Sequence, residues 1–423
     1  MSNQQHKQEA LLPARQSVPG QLGYRQLNYH QLRRGWRRFV GNTGWVITVI
    51  VVLVSVLLFT AWRINRPLTR TMETTHNAQI ERITSQVDSL LTKKVARQQF
   101  SGSILIADYD QEILSRGYSM AEWEKQVPNT PHTRFYLGST TKQFTAMAIL
   151  ILQERGKLHV RDHLCTYIVP CPPAWQSVTI HELLTHTSGI PQLDDSSLST
   201  ASPQSWIAGF AGLSLVYTPG SQFSYCSVCY QILGYVVAQV SGESYSAFLQ
   251  QAIFAPLQMK DSGSGDARYT SAPDHAVGYA GWQVQDMDAG MAIDPRWSFL
   301  FGSGLVYSSA EDMYRWDQAL SHHTLVSQQT LDEAFTPYIA SQYAGSSYGY
   351  GWFIGHSPVL GHRLVWHDGK IPGFRSYIGR YPDDGVTIIL LSNLATVDEM
   401  ILAHELEQIV FAQNSSGSTP QNP

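Results

Sequence analysis

Apolar and polar positions follow three different rhythms along this chain, and each predicts a different kind of element. From Phe39 to Trp62 no charged residue occurs, and Val46 to Phe59 is almost wholly valine, isoleucine and leucine. At 1.5 Å of rise per residue, about 20 such residues cross a hydrocarbon layer of ~30 Å. Trp45 and Trp62 stand at the two ends, where indole rings favour the headgroup region. The alternatives are a cleaved signal peptide and a buried core helix. About forty residues precede the run, and no small-x-small cleavage site follows it before Arg63, so a retained anchor is expected.

Beyond the span the rhythm becomes that of an amphipathic helix. Between Asn77 and Gln98, Ile80, Ile83, Val87, Leu90, Leu91 and Val95 fall on one helical face. A strand rhythm follows in Gly102–Ala107 and Glu112–Gly117, which a tight turn joins into a hairpin. The far end of the chain predicts strands at Leu364–His367, Arg375–Tyr381 and Val386–Ser392, with Pro382-Asp383-Asp384-Gly385 turning between the last two. A closing helix over Val397–Ala412 places Ile401, Leu402, Leu406, Ile409 and Val410 at helical spacing.

Strands thus gather at both ends, and the middle reads as helix and loop. The predicted fold is α/β: an antiparallel sheet built from both termini, flanked by helices, with a mostly helical inserted region and one preceding transmembrane helix. The expected boundaries are a cytoplasmic tail over residues 1–43, the transmembrane helix over 44–62, a stalk over 63–76, the folded domain over 77–413 and a disordered tail over 414–423. Arg33, Arg34, Arg37 and Arg38 precede the span and Arg63, Arg66 and Arg70 follow it. With Lys7, Arg15 and Arg25 added, the bias puts the N-terminus in the cytoplasm and the domain outside.

Composition narrows the function. The 423 residues are 43% apolar, enough for a large core, and the net charge of −4 offers no basic field for nucleic acid. Cys165 and Cys171 flank a loop short enough for a local disulfide, as suits an exported domain. Cys226 and Cys229 form C-x-x-C without the βαβ context of a redox centre, and the two pairs are too irregularly spaced for a four-thiolate zinc site. His181-Glu182-Leu183-Leu184-Thr185-His186 imitates a zinc-protease motif. Its histidines are five apart rather than four and fall on different helical faces, so a structural role is expected. His322-His323 reads as a solvated loop.

Three short motifs carry chemistry. Ser139-Thr140-Thr141-Lys142 opens an apolar run from Phe144 to Leu152, which Gly156 ends as a cap glycine. Residues three apart share a helical face, so hydroxyl and ammonium can meet; burial would lower the lysine pKa and let a neutral amine take the serine proton. Tyr225-Cys226-Ser227 precedes an apolar helix over Ile232–Val240, and a phenol beside a cationic lysine is expected to ionise more easily and shuttle a proton. His367-Asp368-Gly369 is expected just after a strand. There a glycine admits a substrate backbone, and a cationic or hydrogen-bonding side chain can orient a carboxylate or carbonyl.

In order, Ser139-x-x-Lys142, Tyr225-x-Ser227 and His367-x-Gly369 resemble the three elements of the serine β-lactamase and penicillin-binding superfamily, most nearly the class C β-lactamases, D-stereospecific peptidases and related esterases. The resemblance covers about residues 77–413 and extends to Leu183–Gly189, Phe301–Trp316 and Tyr348–Phe353. It implies that Ser139 forms an acyl-enzyme, that Lys142 and Tyr225 share general-base and general-acid duty, and that the backbone N–H groups of Ser139 and Lys370 form an oxyanion hole. It implies no metal and no other cofactor. Ser227, His367, Gly369 and Lys370 are the implied substrate-binding residues. Ser227 stands where the family usually has asparagine, and Asp368 replaces a small or hydroxylated residue, its carboxylate opposing an anionic substrate unless Lys370 offsets it.

The expected function is therefore a membrane-anchored serine hydrolase acting on an ester, amide or D-amino-acid peptide-like substrate. The alternatives are a penicillin-binding sensor or pseudoenzyme that acylates with little turnover, a class C-type β-lactamase, and a binding scaffold. The expected partners are a small-molecule or peptide-like substrate and a membrane through residues 44–62. The sequence carries no signal for oligomeric state.

Overall fold

Strands whose side chains are buried on both faces need a layer on each side, and this molecule supplies both. The computed structural model describes residues 29–192, 203–265, 274–281 and 301–412, together with 269, 283 and 284. The predicted tail over 414–423 and most of the predicted cytoplasmic tail lie outside the described residues. The chain divides into two compact units, Met1–His76 and Asn77–Pro423.

In the first unit lies most of helix α1 (Tyr29–Ala96). Within it, Trp45–Trp62 is long and apolar enough to cross a membrane, and none of it is buried.

The second unit is organised by an eight-stranded antiparallel sheet. Its strands are β1 (Gly102–Asp108), β2 (Gln111–Tyr118), β3 (Ile339–Ala340), β4 (Ser347–Tyr348), β5 (Phe353–His356), β6 (Arg363–Ile371), β7 (Phe374–Tyr381) and β8 (Val386–Ser392), in the spatial order β3-β4-β5-β6-β7-β8-β1-β2. The two chain ends meet where β1 pairs with β8, with Leu105 opposite Ile389 and Ala107 opposite Thr387. The sequence pattern is accounted for by alternation across the pleat. Leu105, Ile378, Ile389 and Leu391 enter one core, while Ile104, Ile106, Tyr377, Ile388 and Leu390 enter the other.

The second core is closed by the end of α1, through Ile83, Val87 and Leu91, and by α6 (Glu399–Phe411), through Leu402, Ala403 and Leu406. Asp398 caps α6, so this helix begins two residues after the expected Val397; Asp398 accepts from the Ile401 N–H and satisfies one of the orphan donors there. The first core holds α2 (Lys142–Glu154), α3 (Ile180–Leu184), α4 (Ser227–Ser241) and α5 (Ala310–Ser321), the inserted helical region. Cys165–Cys171 and Cys226–Cys229 are both disulfides, so all four cysteines are paired.

Candidate active site

A single 3₁₀ turn, Gly138–Thr141, delivers Ser139 and passes directly into α2. The turn is pinned from two sides. Leu137 N–H donates to the Val306 carbonyl at 2.9 Å, and Val306 N–H donates to Thr141 Oγ1 at 3.1 Å. On the other side Ser376 Oγ, in β7, donates to the Leu137 carbonyl at 2.6 Å and lies 2.8 Å from Thr140 Oγ1. Gly138 has φ of +52°, the left-handed region that glycine enters without penalty.

Lys142 is the first residue of α2 and is fully buried. Its Nζ lies 3.1 Å from Ser139 Oγ and donates to the Ser303 carbonyl at 2.8 Å. Burial pushes its pKa down to about 7, and the Asp368 carboxylate holds it from falling further. A lysine titrating there is neutral in half of the molecules at neutral pH, and a neutral amine at 3.1 Å can take the serine proton.

Tyr225 immediately precedes the Cys226 N-cap of α4. Its hydroxyl is near enough to Ser139 for that side chain to oppose the rise in its pKa, and Lys142 Nζ lies 4.9 Å from its ring centroid. The expectation that the lysine would ease its ionisation fails. Burial raises the phenol well above its ordinary pKa, with Asp368 adding to the rise and the Ser139 side chain only partly opposing it. Desolvation of the phenol dominates, and the half-protonated Lys142 does not offset it. Tyr225 thus keeps its proton, and Lys142 is the group whose pKa suits a base.

The third motif lies inside a strand and not after one. His367, Asp368 and Gly369 belong to β6, opposite Ile378, Tyr377 and Ser376 of β7. The β5 partner ends at the Phe353–Trp366 pair, so among the described residues the last turn of the ladder leaves β6 with a free edge from His367 onward. Alternation directs His367 and Gly369 to the Ser139 side and Asp368 and Lys370 to the opposite face. There Lys370 Nζ lies 3.0 Å from Glu399 at the start of α6, and its charge opposes the rise that burial gives the Asp368 pKa. His367 is buried, with Nε2 3.0 Å from Tyr348 Oη and Nδ1 2.6 Å from the Asp368 carbonyl. Burial and the nearby Lys142 push it down to about 3, so it is neutral and the cationic expectation is corrected.

Gly369 has a use that differs from the one expected. A β-carbon there would lie 1.9 Å from the Leu137 carbonyl, and one at Gly138 would lie 2.7 Å from the Lys370 nitrogen. The two glycines let the serine turn and β6 touch, which brings the Ser139 and Lys370 backbones together. Ser227 begins α4 and is half-buried beside Tyr225.

Sequence reasoning missed three contributors: the Ser303 carbonyl, Tyr348, and Ser376. Backbone acceptors leave no compositional trace; Tyr348 and Ser303 lay within stretches already noted for family resemblance. The histidine pair of the zinc-like motif separates as its spacing requires. Glu182 is used in a capping box with Thr179, and His181 Nδ1 lies 2.8 Å from Tyr350 Oη. Among the described residues no group of three or more metal-binding side chains occurs.

A serine, a buried lysine and a tyrosine thus meet beside a sheet edge. The β-lactamase family profile matches residues 87–410, and this chain belongs to that family, the serine β-lactamase and penicillin-binding superfamily. It is 33% identical over 292 residues to the protein named PbpX of Bacillus subtilis (strain 168), spanning 69% of this chain and 70% of that one. It is 29% identical to penicillin-binding protein 4* of the same organism, over 75% of this chain and 74% of that one. The solved structure of an octameric penicillin-binding protein homologue from Pyrococcus abyssi superposes with a TM-score of 0.69 at 28% identity, covering 78% and 77% of the two chains.

Proposed function

We propose that this chain is a serine hydrolase that forms an acyl-enzyme on Ser139, with Lys142 as base and Tyr225 as proton donor to the leaving group. The observation that carries the reading is the 3.1 Å separation of Ser139 Oγ from a lysine held at about pH 7. The Ser139 and Lys370 backbone N–H groups receive the oxyanion, a term worth ~3 kcal/mol per donor in comparable sites. Ser227 offers a hydrogen bond to the substrate, while both His367 ring nitrogens are taken by Tyr348 and the Asp368 carbonyl, so His367 supports the site wall and does not bind substrate directly. The free edge of β6 around Gly369 lets a peptide-like substrate add as a strand.

The substrate class is an ester, amide or D-amino-acid peptide. A neutral His367 in place of a cation weakens capture of an anionic β-lactam and favours an ester or peptide over one. The protein is held in a cell membrane by residues 44–62 with the catalytic domain outside; the apolar span and two disulfides, bonds typical of an oxidising compartment, support this.

The test is turnover. Detergent-solubilised protein is offered a chromogenic cephalosporin, short-chain aryl esters and D-amino-acid peptides, with Ser139→Ala alongside. Ester or peptide turnover lost in the variant supports the proposal. Rapid cephalosporin hydrolysis with inert esters favours a β-lactamase. Stoichiometric labelling without product favours a sensor.

A further inference from the structure

His186 does nothing in the chemistry described above, yet it is built into the wall of the site at some expense to the fold. Its backbone adopts φ of +60°, in the left-handed region, where histidine occurs more often than most side chains and phenylalanine rarely. The ring is wholly buried, and its Nε2 has no hydrogen-bond partner among the described residues. A residue kept only to fill an aromatic core would be a phenylalanine, which buries no N–H, or would sit at an ordinary backbone angle.

What His186 does instead is hold the Tyr225 segment from three directions. Its Nδ1 accepts from the Cys226 backbone N–H at 2.9 Å. Its own carbonyl accepts from the Ser224 N–H at 2.9 Å. Its ring lies against the Tyr225 ring with centroids 4.4 Å apart and planes inclined by 31°. The residues before and after Tyr225 are thus tied to one histidine, and the phenol itself leans on that histidine's face. With Nδ1 accepting, the proton resides on Nε2, so one tautomer is fixed. Burial and the neighbouring Lys142 push this imidazole well below its usual pKa, and the acceptor is therefore available across the working pH range.

We infer that His186 is a positioning residue: its Nδ1, accepting the Cys226 N–H, sets the orientation in which Tyr225 meets Ser139. The inference rests on the proposed role of Tyr225 in acyl transfer. A misplacement of about 1 Å in such a group costs ~100-fold in rate, which sets the scale of the effect.

Three variants separate positioning from packing. His186→Asn keeps an acceptor near Nδ1 and tolerates positive φ. His186→Phe keeps the ring and loses the acceptor. His186→Gly relieves the backbone and loses both, and it keeps the comparison open if the phenylalanine variant does not fold. Each is made in the full chain with 3-fluorotyrosine incorporated, the Tyr225 resonance being assigned with Tyr225→Phe. For an activated aryl ester, kcat is expected to fall by ~100-fold in the phenylalanine and glycine variants with KM little changed, and to recover to within about threefold of wild type in the asparagine variant. The Tyr225 ¹⁹F signal should move in the same two variants and stay put in the third. Activity that follows melting temperature across all three, with an unmoved ¹⁹F signal, overturns the inference. If the wild-type protein turns over no ester, the proposed function fails, while the ¹⁹F signal still reports whether His186 places Tyr225.

Discussion

Gly138 and Lys370 come so close that a β-carbon on the glycine would lie 2.7 Å from the lysine's backbone nitrogen. That contact joins the nucleophile's turn to the sheet edge, so the two N–H groups that would receive an oxyanion are set by one joint. Gly138→Ala therefore meets both a steric overlap and a left-handed φ of +52°. The backbone term alone is ~1–2 kcal/mol. Ester turnover is expected to fall by about two orders of magnitude, more than the loss in melting temperature explains, because oxyanion donors act only when placed to within fractions of an ångström. Paired kinetics and thermal melts of the variant check this.

The pH profile follows from Lys142. Only the neutral amine takes the serine proton, and burial puts the pKa near 7, so kcat/KM should drop about tenfold per pH unit below that point and level off above it. The Asp368 carboxylate favours the charged lysine. Asp368→Asn removes that support, lowers the lysine pKa further and should move the acid limb to lower pH. A limb that moves upward or stays fixed would show that another group controls it.

Further along β7 from Ser376, Arg380 Nε donates to Asp317 Oδ1 at 2.6 Å, and Thr387 Oγ1 donates to the same oxygen at 3.0 Å. Both members of the pair are nearly buried. Removing one partner strands the other's charge, so Asp317→Ala should destabilise the domain by ~3–5 kcal/mol. Denaturant melts measure the loss, and the pH midpoint of activity should not change.

The Cys165–Cys171 bridge closes a short loop on the helical side, outside the site. Replacing both cysteines by serine should cost about 2 kcal/mol, chiefly by freeing the unfolded chain, with kcat unaltered. Calorimetry of the double variant against wild type gives the comparison.

The strands at the two ends of the chain were readable because both of their faces are buried and their residues are correspondingly apolar; Val386–Ser392 was located to the residue. The strand was ended at His367 because Asp368 and Gly369 do not look like strand residues. They are held there by pairing with β7, a long-range contact that no local pattern records. Ser139 and Lys142 were paired by their spacing and Tyr225 by the family resemblance, but the protonation of the lysine and the phenol was not legible. A sequence shows that Lys142 and Tyr225 are neighbours in chemistry; it does not show that desolvation outweighs their mutual charge effect. A structural role was expected for the motif that holds His186, but the contact that gives this histidine its place, with Cys226, spans 40 positions and leaves no local pattern.

The most direct test of the central claim is intact-protein mass spectrometry during reaction with an activated ester, quenched in acid and followed by peptide mapping. The predicted result is one added acyl group per chain, located on Ser139, formed more slowly in Lys142→Ala and absent in Ser139→Ala. An adduct on any other residue, or product release by Ser139→Ala at the wild-type rate, would contradict it.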